Sequence, residues 1–248
     1  MRRLDFLTIV AIAIVAYILA NVIHEGLGHG GACFLLGGRA EQLSSLHFSF
    51  DPKSVTPAQA KFIAAAGCIA NAIAATIGLL LYRRRRSYFL WLFTTINLLM
   101  PAGYLLFSGV LNVGDWVQVC AGIPQLVWRP ILAIIGGASY FFAARYCARL
   151  LEPLARKDDA RRFTLIAYFT GGILYCGSGL FNPVGPIIIA ISGAAASFGG
   201  TSGLVWMIDF ICDREGESVA IERSYAWIGV AAVMAIVFVG VLGPAVRF

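Results

Sequence analysis

The chain has 248 residues, of which 59% are hydrophobic and only 13% are charged. Ordinary soluble domains carry about 25% charged residues, and the mean hydropathy here is +0.81. The composition therefore indicates an integral membrane protein in contact with a lipid bilayer. The net charge of +6 comes from short basic stretches between apolar runs, which argues against nucleic-acid binding and is typical of membrane topology signals.

Seven apolar segments follow one another along the chain, each near or above the roughly 20 residues that a helix needs to cross a bilayer. They are residues 4–36, 57–82, 88–110, 130–151, 163–180, 184–211 and 225–246. We expect an all-α polytopic membrane protein with about six or seven transmembrane helices, forming a single membrane domain over residues 1–248. The first and sixth segments are long and rich in glycine, so each is expected to tilt, break or re-enter the membrane.

The distribution of Lys and Arg predicts the orientation. Fourteen of the 19 Lys and Arg residues fall on the side of the N-terminus in this arrangement, and five fall on the other side. Basic residues near span ends stay in the cytoplasm. We therefore expect a cytoplasmic N-terminus in a membrane such as the bacterial inner membrane. The first span would then end in the outer half of the bilayer.

The loop after the first segment carries a strand signal near residues 44–50. Leu46, Phe48 and Phe50 alternate with polar residues, and period-2 alternation is typical of a half-buried strand. A short β-hairpin or strand is one interpretation. An amphipathic stretch lying on the lipid interface is the other. A strand at this place could pair with an extended substrate segment.

The end of the first apolar segment reads His24-Glu25-Gly26-Leu27-Gly28-His29. Ionisable side chains inside a membrane are costly and therefore indicate a functional site. Two histidines and a glutamate are the residue types of a zinc hydrolase, with the imidazoles as ligands and the carboxylate as general base. Hydrogen bonding among helices is the alternative role for all three.

The spacing of the two histidines predicts an irregular helix. Residues five apart point about 140° apart in an ideal α-helix, so His24 and His29 could not share a metal there. A π-type bulge absorbs one residue, and Gly26 and Gly28 tolerate an irregular backbone. A second possible ligand pair is Glu25 and His29, which are four residues apart. His24 would then lie behind the ligands, and no adjacent base would remain for a metal-bound water.

A catalytic zinc usually has three protein ligands and one open position. Asp115 is the best third candidate, because it follows the third segment on the same side of the membrane as His29. The alternative role for Asp115 is to cap a helix beginning at Trp116. The remaining candidates are less well placed: His47, Asp51, Asp209 and, at four residues after His29, Cys33.

Three motifs in this order resemble the site-2 protease family of intramembrane zinc metalloproteases, most closely its short bacterial branch. The first runs from Val22 to Arg39 and includes His24-Glu25 and Gly28-His29. The second, Ala66-Gly67-Cys68-Ile69-Ala70-Asn71, is similar to the family's Gly-Pro-x-x-Asn, with Cys68 in place of proline. In the third, Asn112 and Asp115 resemble an asparagine followed closely by an aspartate ligand. The resemblance covers residues 22–116.

The resemblance implies a catalytic core at residues 4–116 that hydrolyses peptide bonds of membrane protein substrates. It implies one Zn²⁺ per chain, held by His24, His29 and Asp115, with Glu25 as base. It also implies that Asn71 binds the substrate or the oxyanion, with Asn112 as a second donor. The helices of residues 130–248 have no assigned counterpart.

Other functions stay open on the sequence alone. A membrane zinc hydrolase acting on lipid amides or esters would use the same metal chemistry. A transporter is favoured by the helix-breaking residues 182–186 and 199–203, although glycines also permit close helix packing. A metal-free relative that only binds membrane proteins is a further alternative.

Overall fold

The computed structural model describes residues 4–212 and 218–248, so Arg2, Arg3 and Arg214 of the orientation argument lie outside it. The α-helices are α1 (Phe6–Asn21), α2 (Gly31–Leu35), α3 (Pro57–Arg84), α4 (Tyr88–Leu111), α5 (Asp115–Val119), α6 (Gln125–Leu151), α7 (Lys157–Gly179), α8 (Gly203–Trp206) and α9 (Tyr225–Val237). The π-helical segments are Val22–Gly30, Ile189–Gly199 and Phe238–Leu242, and 3₁₀ turns are Pro52–Ser54 and Met207–Phe210. The strands are β1 (Ala40–Leu43), β2 (Phe48–Phe50) and β3 (Val246–Arg247).

Five helical segments of the described chain are long and apolar enough to cross a membrane. They are Phe6–Leu35, Pro57–Arg84, Tyr88–Leu111, Gln125–Leu151 and Tyr225–Leu242. The prediction of an all-α polytopic membrane protein is thereby confirmed. The fifth predicted segment lies in α7, which is not one of the five apolar segments.

The sixth predicted segment, residues 184–211, is not a continuous helix. It consists of the π-helix Ile189–Gly199, a turn, the short α8 and a 3₁₀ turn. Pro186 precedes the π-helix, and the glycine-rich stretch 199–203 separates the π-helix from α8, so the backbone cannot keep one α-helical ladder. The last predicted segment also ends earlier than expected, at Leu242, because Gly243 and Pro244 stop the helix before β3.

The predicted hairpin is present, and its turn is inserted into the helix bundle. Strands β2, β1 and β3 form an antiparallel sheet in that order. Leu46 lies in the turn rather than in a strand, and it is buried against α7 and the second π-helix. The side chain of Asn21 donates to the Ser45 carbonyl at 2.9 Å, and Ser192 donates to the Leu46 carbonyl at 2.6 Å. These side chains therefore provide the hydrogen bonds that the carbonyl groups of the irregular turn need and that lipid could not provide.

The two ends of the bundle differ in chemistry. At one end, Arg83–Arg86 form the end of α3 and the residues directly after it, and Arg223 pairs with Asp5 at 3.1 Å before α1 begins. At the other end, the hairpin turn meets the end of the last helix, where the Ser45 amide donates to the Leu242 carbonyl at 2.8 Å. Helix α4 starts beside the arginines and ends near the hairpin, so the residues that follow α4 lie far from the basic end.

Candidate metal centre

His24 and His29 lie on one face of the first π-helix, Val22–Gly30. Hydrogen bonds in a π-helix join residues five apart, so side chains at that spacing face the same way. The two rings meet edge to face with centroids 4.8 Å apart, and their Nε2 atoms are 3.2 Å apart. The prediction of an irregular helix between the histidines is confirmed.

A chain of hydrogen bonds determines which nitrogen of His24 carries a proton. The Asn97 amide donates to the Phe93 carbonyl at 2.8 Å, which turns Asn97 Oδ1 towards α3. Asn71 Nδ2 donates to that oxygen at 2.8 Å and to the Ala20 carbonyl at 3.0 Å. Asn71 Oδ1 is therefore left to accept from His24 Nδ1, at 2.6 Å. His24 Nε2 consequently presents a lone pair to the cluster.

His29 is oriented in the same way by a backbone carbonyl. Its Nδ1 lies 2.7 Å from the carbonyl oxygen of Ile63 on α3. Because a carbonyl can only accept, Nδ1 carries a proton, and in the neutral ring Nε2 has the lone pair. Both imidazoles are buried, His24 at 1% and His29 at 7% exposure. Two nitrogens of a type that binds metal ions thus lie at one point inside the membrane domain.

A sharp turn after α4 brings Asp115 to the same point. Helix α4 ends at Asn112 in the left-handed conformation, with φ of 58°, and Gly114 has φ of 91°. Asp115 is the first residue of α5, with Gly114 at the cap position, so the alternative role of Asp115 as a helix cap is wrong. Burial by itself would raise the pKa of the Asp115 carboxyl, but attraction to His29 and His24 outweighs burial and lowers the pKa below its usual range.

Distances within the cluster fit a tetrahedral zinc ion. Asp115 Oδ2 lies 3.1 Å from His24 Nε2 and 3.5 Å from His29 Nε2, and the two nitrogens are 3.2 Å apart. Ligands about 2.0 to 2.1 Å from a tetrahedral zinc are about 3.3 Å from one another. Three such atoms at this separation need a positive charge among them, which either a metal ion or a proton on an imidazole supplies. The donor set of two imidazoles and a carboxylate therefore suits zinc.

Gly67 gives the imidazoles the room that they occupy. A Cβ atom on Gly67 would stand 2.6 Å from His29 Nε2 and 2.8 Å from His24 Nε2. Glycine is required here because the α3 backbone runs directly behind the ligand nitrogens. The ring of Tyr104 covers another side, with its centroid 4.8 Å from that of His24.

A cavity of about 360 Å³ opens beside the cluster. Its walls include Glu25, His29, Asn112 and Asp115, together with strand β2 and the second π-helix. A carboxylate oxygen of Glu25 and ring nitrogens of both histidines all lie within 4.8 Å of one another. Glu25 is thus next to the ligands and borders the cavity, where a substrate group could reach it.

Asn71 and Asn112 differ in their access to this cavity. Asn71 is fully buried, and both its amide hydrogens are donated elsewhere, so it lies behind His24 and has no hydrogen free for an oxyanion. Asn112 lines the cavity, and its Oδ1 is buried without a hydrogen-bond partner. Asn71 was expected to bind the substrate or the oxyanion, but the structure places it against His24 instead. Asn112 is the amide that a group in the cavity could reach.

The other sequence candidates lie outside the cluster. Asp51 caps the 3₁₀ turn Pro52–Ser54 and pairs with Arg39 at 3.8 Å. Asp209 lies in the 3₁₀ turn after α8. Cys33 packs against Gly38 rather than against the ligands. His47 lines the cavity, and its Nδ1 is buried without a partner.

The sequence alone did not indicate the roles of three residues at the site. Asn97 holds Asn71, and an asparagine in the middle of an apolar segment is a signal that could have identified it. Tyr104 covers His24. Cys68 lies 3.9 Å from Asp115 Oδ2.

No family model, no curated protein and no solved structure matches this chain significantly. The likeness to site-2 proteases therefore depends on the three motifs alone.

Proposed function

We propose that this protein is an intramembrane zinc metalloprotease of the site-2 type, which hydrolyses peptide bonds of membrane-embedded or membrane-proximal substrates. The observation that carries the proposal is the convergence of His24 Nε2, His29 Nε2 and Asp115 Oδ2 at 3.1 to 3.5 Å. The proton positions on both rings support it, because each imidazole is oriented to offer a lone pair. The buried Glu25 beside the ligands supports hydrolysis rather than a purely structural metal site.

Each residue has a definite task in this mechanism. A zinc ion, when bound, supplies the Lewis acidity that lowers the pKa of water towards about 7. Glu25 accepts the proton of the attacking water and then donates it to the leaving amine. Asn112 donates to the oxygen of the scissile carbonyl as negative charge develops there. Asn71 and the Ile63 carbonyl keep the two imidazoles in position through their Nδ1 hydrogens.

Substrate has to be extended at the scissile bond, because a helix keeps its carbonyls in internal hydrogen bonds. Strand β2 supports such binding. It is one of the two outer strands in the order β2-β1-β3, and Phe48 and Phe50 line the same cavity as Glu25. An extended segment added along its open edge would pass beside the base. Helix-breaking residues in a substrate span would favour cleavage.

The position of the site along α3 supports a membrane-embedded reaction in the outer half of the bilayer. Ile63 and Asn71 lie about 9 Å and about 21 Å from the start of α3 at Pro57, at 1.5 Å per residue. Arg83 begins the basic end about 18 Å beyond Asn71. With the arginines in the cytoplasm, as expected for a bacterial inner membrane protein, the site lies between mid-membrane and the outer surface.

Metal content and turnover of the purified full-length chain test this function. Wild type is expected to carry about one zinc ion per chain, measured by inductively coupled plasma mass spectrometry. His24→Ala and His29→Ala should lose the metal, and His47→Ala, at the third histidine of the chain, should keep it. Absence of zinc from wild type prepared in zinc-containing buffer would contradict the proposal.

The second arm separates the enzyme from a zinc-binding protein. Glu25→Gln should keep zinc and stop cleavage of a labelled single-span peptide in nanodiscs that carries glycine and proline near its outer end. Cleavage at the wild-type rate by Glu25→Gln would exclude Glu25 as the base. Hydrolysis of lipid esters or amides, but of no peptide, would indicate the lipid hydrolase instead.

Transport is a second candidate that one observation favours. The second π-helix belongs to the broken sixth segment, and its residues Ile191, Ser192 and Ala196 line the same cavity as the cluster. Discontinuous helices at a cavity are typical of transport sites. Zinc uptake into proteoliposomes without peptide cleavage would support this function.

A further inference from the structure

The thiol of Cys68 lies at the candidate metal centre, in a position that the proposed mechanism does not use. Cys68 follows Gly67 on α3, and its side chain is only 3% exposed. Its Sγ is 3.9 Å from Asp115 Oδ2. The sulfur, a carboxylate oxygen of Asp115 and a ring nitrogen of His24 all lie within 4.8 Å of one another. A fourth side chain with metal affinity is therefore present at the cluster.

The separation is close to that of a bound thiolate. Around a tetrahedral zinc, a sulfur at about 2.3 Å and an oxygen or nitrogen at about 2.0 Å are about 3.6 Å apart. Cys68 needs to approach Asp115 by a few tenths of an ångström and His24 by at most about 1.2 Å.

Hydrogen bonding at the site also points to a cation-binding role. The lone pairs of His24 Nε2 and His29 Nε2 both face the cluster, because each ring donates its proton away from it. A thiol can give only one hydrogen, and here it is directed at Asp115 at a long 3.9 Å. One weak donor does not satisfy two imidazoles and a carboxylate, whereas a metal ion bound by all four groups does.

We propose that Cys68 is a fourth protein ligand, so that the resting metal centre is a closed set of His24, His29, Asp115 and Cys68. The inference rests on the proposed metal centre and adds regulation to it. A zinc ion with four protein ligands has no open position, which is typical of structural sites, whereas a catalytic site keeps one open. Departure of the thiolate opens the centre, so the protein is latent until substrate or a change in packing withdraws Cys68.

The exchange is balanced in atoms and charge. On binding, the S–H bond would break, a sulfur–metal bond would form, and the proton would be released to water, because cysteine binds a metal as the thiolate. Withdrawal of Cys68 would reverse the exchange, with the thiolate taking a proton back from water.

Cobalt substitution tests the ligand directly, without any activity measurement. The full-length chain in detergent is loaded with Co²⁺, and its absorption spectrum is recorded. A thiolate ligand gives a sulfur-to-cobalt charge-transfer band in the near ultraviolet. The band is expected in wild type and in Cys33→Ser, whose thiol is buried four residues after His29 but outside the cluster. Cys68→Ser and Cys68→Ala should bind Co²⁺ and lack the band.

The outcomes separate this inference from the proposed function. One outcome is that wild type binds one Co²⁺ ion per chain, dependent on His24 and His29, and shows no charge-transfer band. That result would overturn the inference that Cys68 is a ligand, and it would leave the metalloprotease proposal standing. A band that persists in Cys68→Ser overturns the inference as well. A wild-type chain that binds no Co²⁺ overturns both. Because soft thiolates favour Cd²⁺, Cys68→Ser should also lower the Cd²⁺ affinity relative to Zn²⁺ by about tenfold or more.

Discussion

Gly28 and Gly67 touch where the first π-helix crosses α3, and a Cβ atom on Gly28 would stand 2.6 Å from the Cα of Gly67. This contact between two backbones brings both imidazoles against α3. It places His24 within reach of Asn71 and His29 within reach of the Ile63 carbonyl. The geometry of the candidate metal centre therefore depends on how closely two helices approach.

Gly28→Ala should destabilise the protein, because the new methyl group meets backbone atoms that cannot rotate away. Overpacking of this kind costs about 1 to 3 kcal/mol. Gly26→Ala is the matched control in the same π-helix, since its Cβ would meet only Val22 Cγ1, at 3.8 Å. Thermal unfolding in detergent measures the difference. Equal melting temperatures for the two variants would contradict the close crossing.

Gly67→Ala should abolish metal binding while the bundle still folds. Its methyl group would overlap the ligand nitrogens of His24 and His29, which are side-chain atoms and can move aside. The control is Gly229→Ala in α9, where a Cβ meets nothing within 4 Å. Zinc content and the melting temperature are measured together. A Gly67→Ala protein with wild-type zinc content would show that the imidazoles do not bind metal at this point.

Asn71→Leu should weaken zinc binding by about 10- to 100-fold, because a residue that orients a metal-binding histidine contributes on that scale. The loss comes from His24, whose Nδ1 would no longer have an acceptor. Thr76→Ala is the control, on the exposed surface of the same helix. Competition with a fluorescent chelator measures the affinity. If Asn71 acted only on substrate, zinc affinity would not change.

Removal of Leu27, which is 68% exposed, should preserve zinc binding. The deletion leaves the histidines four residues apart, about 40° apart on an α-helix, so the bulge is no longer needed. Insertion of one alanine after Leu27 should abolish binding, because residues six apart point about 120° apart on an α-helix. Zinc affinity of the two variants is compared with that of wild type. Loss of zinc by the deletion variant together with retention of zinc by the insertion variant would contradict this prediction.

Local features were predictable because their causes are local. Hydropathy predicts which stretches enter lipid, since each residue contributes by itself. The five-residue spacing of His24 and His29 predicts a π-helix, since only the backbone between them decides their relative direction. Alternation near Phe48 and Phe50 indicates a strand for the same reason, but it fits an amphipathic stretch on the lipid interface equally well, and only the structure distinguishes the two.

The interruption of the sixth segment was only partly predictable. Gly199–Gly203 indicate a weak point, but the sequence does not say that Ser192 will bond to the hairpin turn or that this segment will line the cavity. Those contacts join parts of the chain that lie far apart in sequence. They form because the turn at Leu46 needs protein partners inside the membrane.

The sequence by itself determined the membrane class, the irregular first span and the residue types of a metal centre, because periodicity and spacing act over a few residues. Only the tertiary structure decided which groups meet. It brought Asp115 to the imidazoles through the turn at Asn112 and Gly114, turned Asn71 into a support for His24, and placed Cys68 beside Asp115. The reason is that such convergence depends on the crossing of separate helices, and the contact between Gly28 and Gly67 makes that crossing close enough for the side chains of His24, His29 and Asp115 to meet.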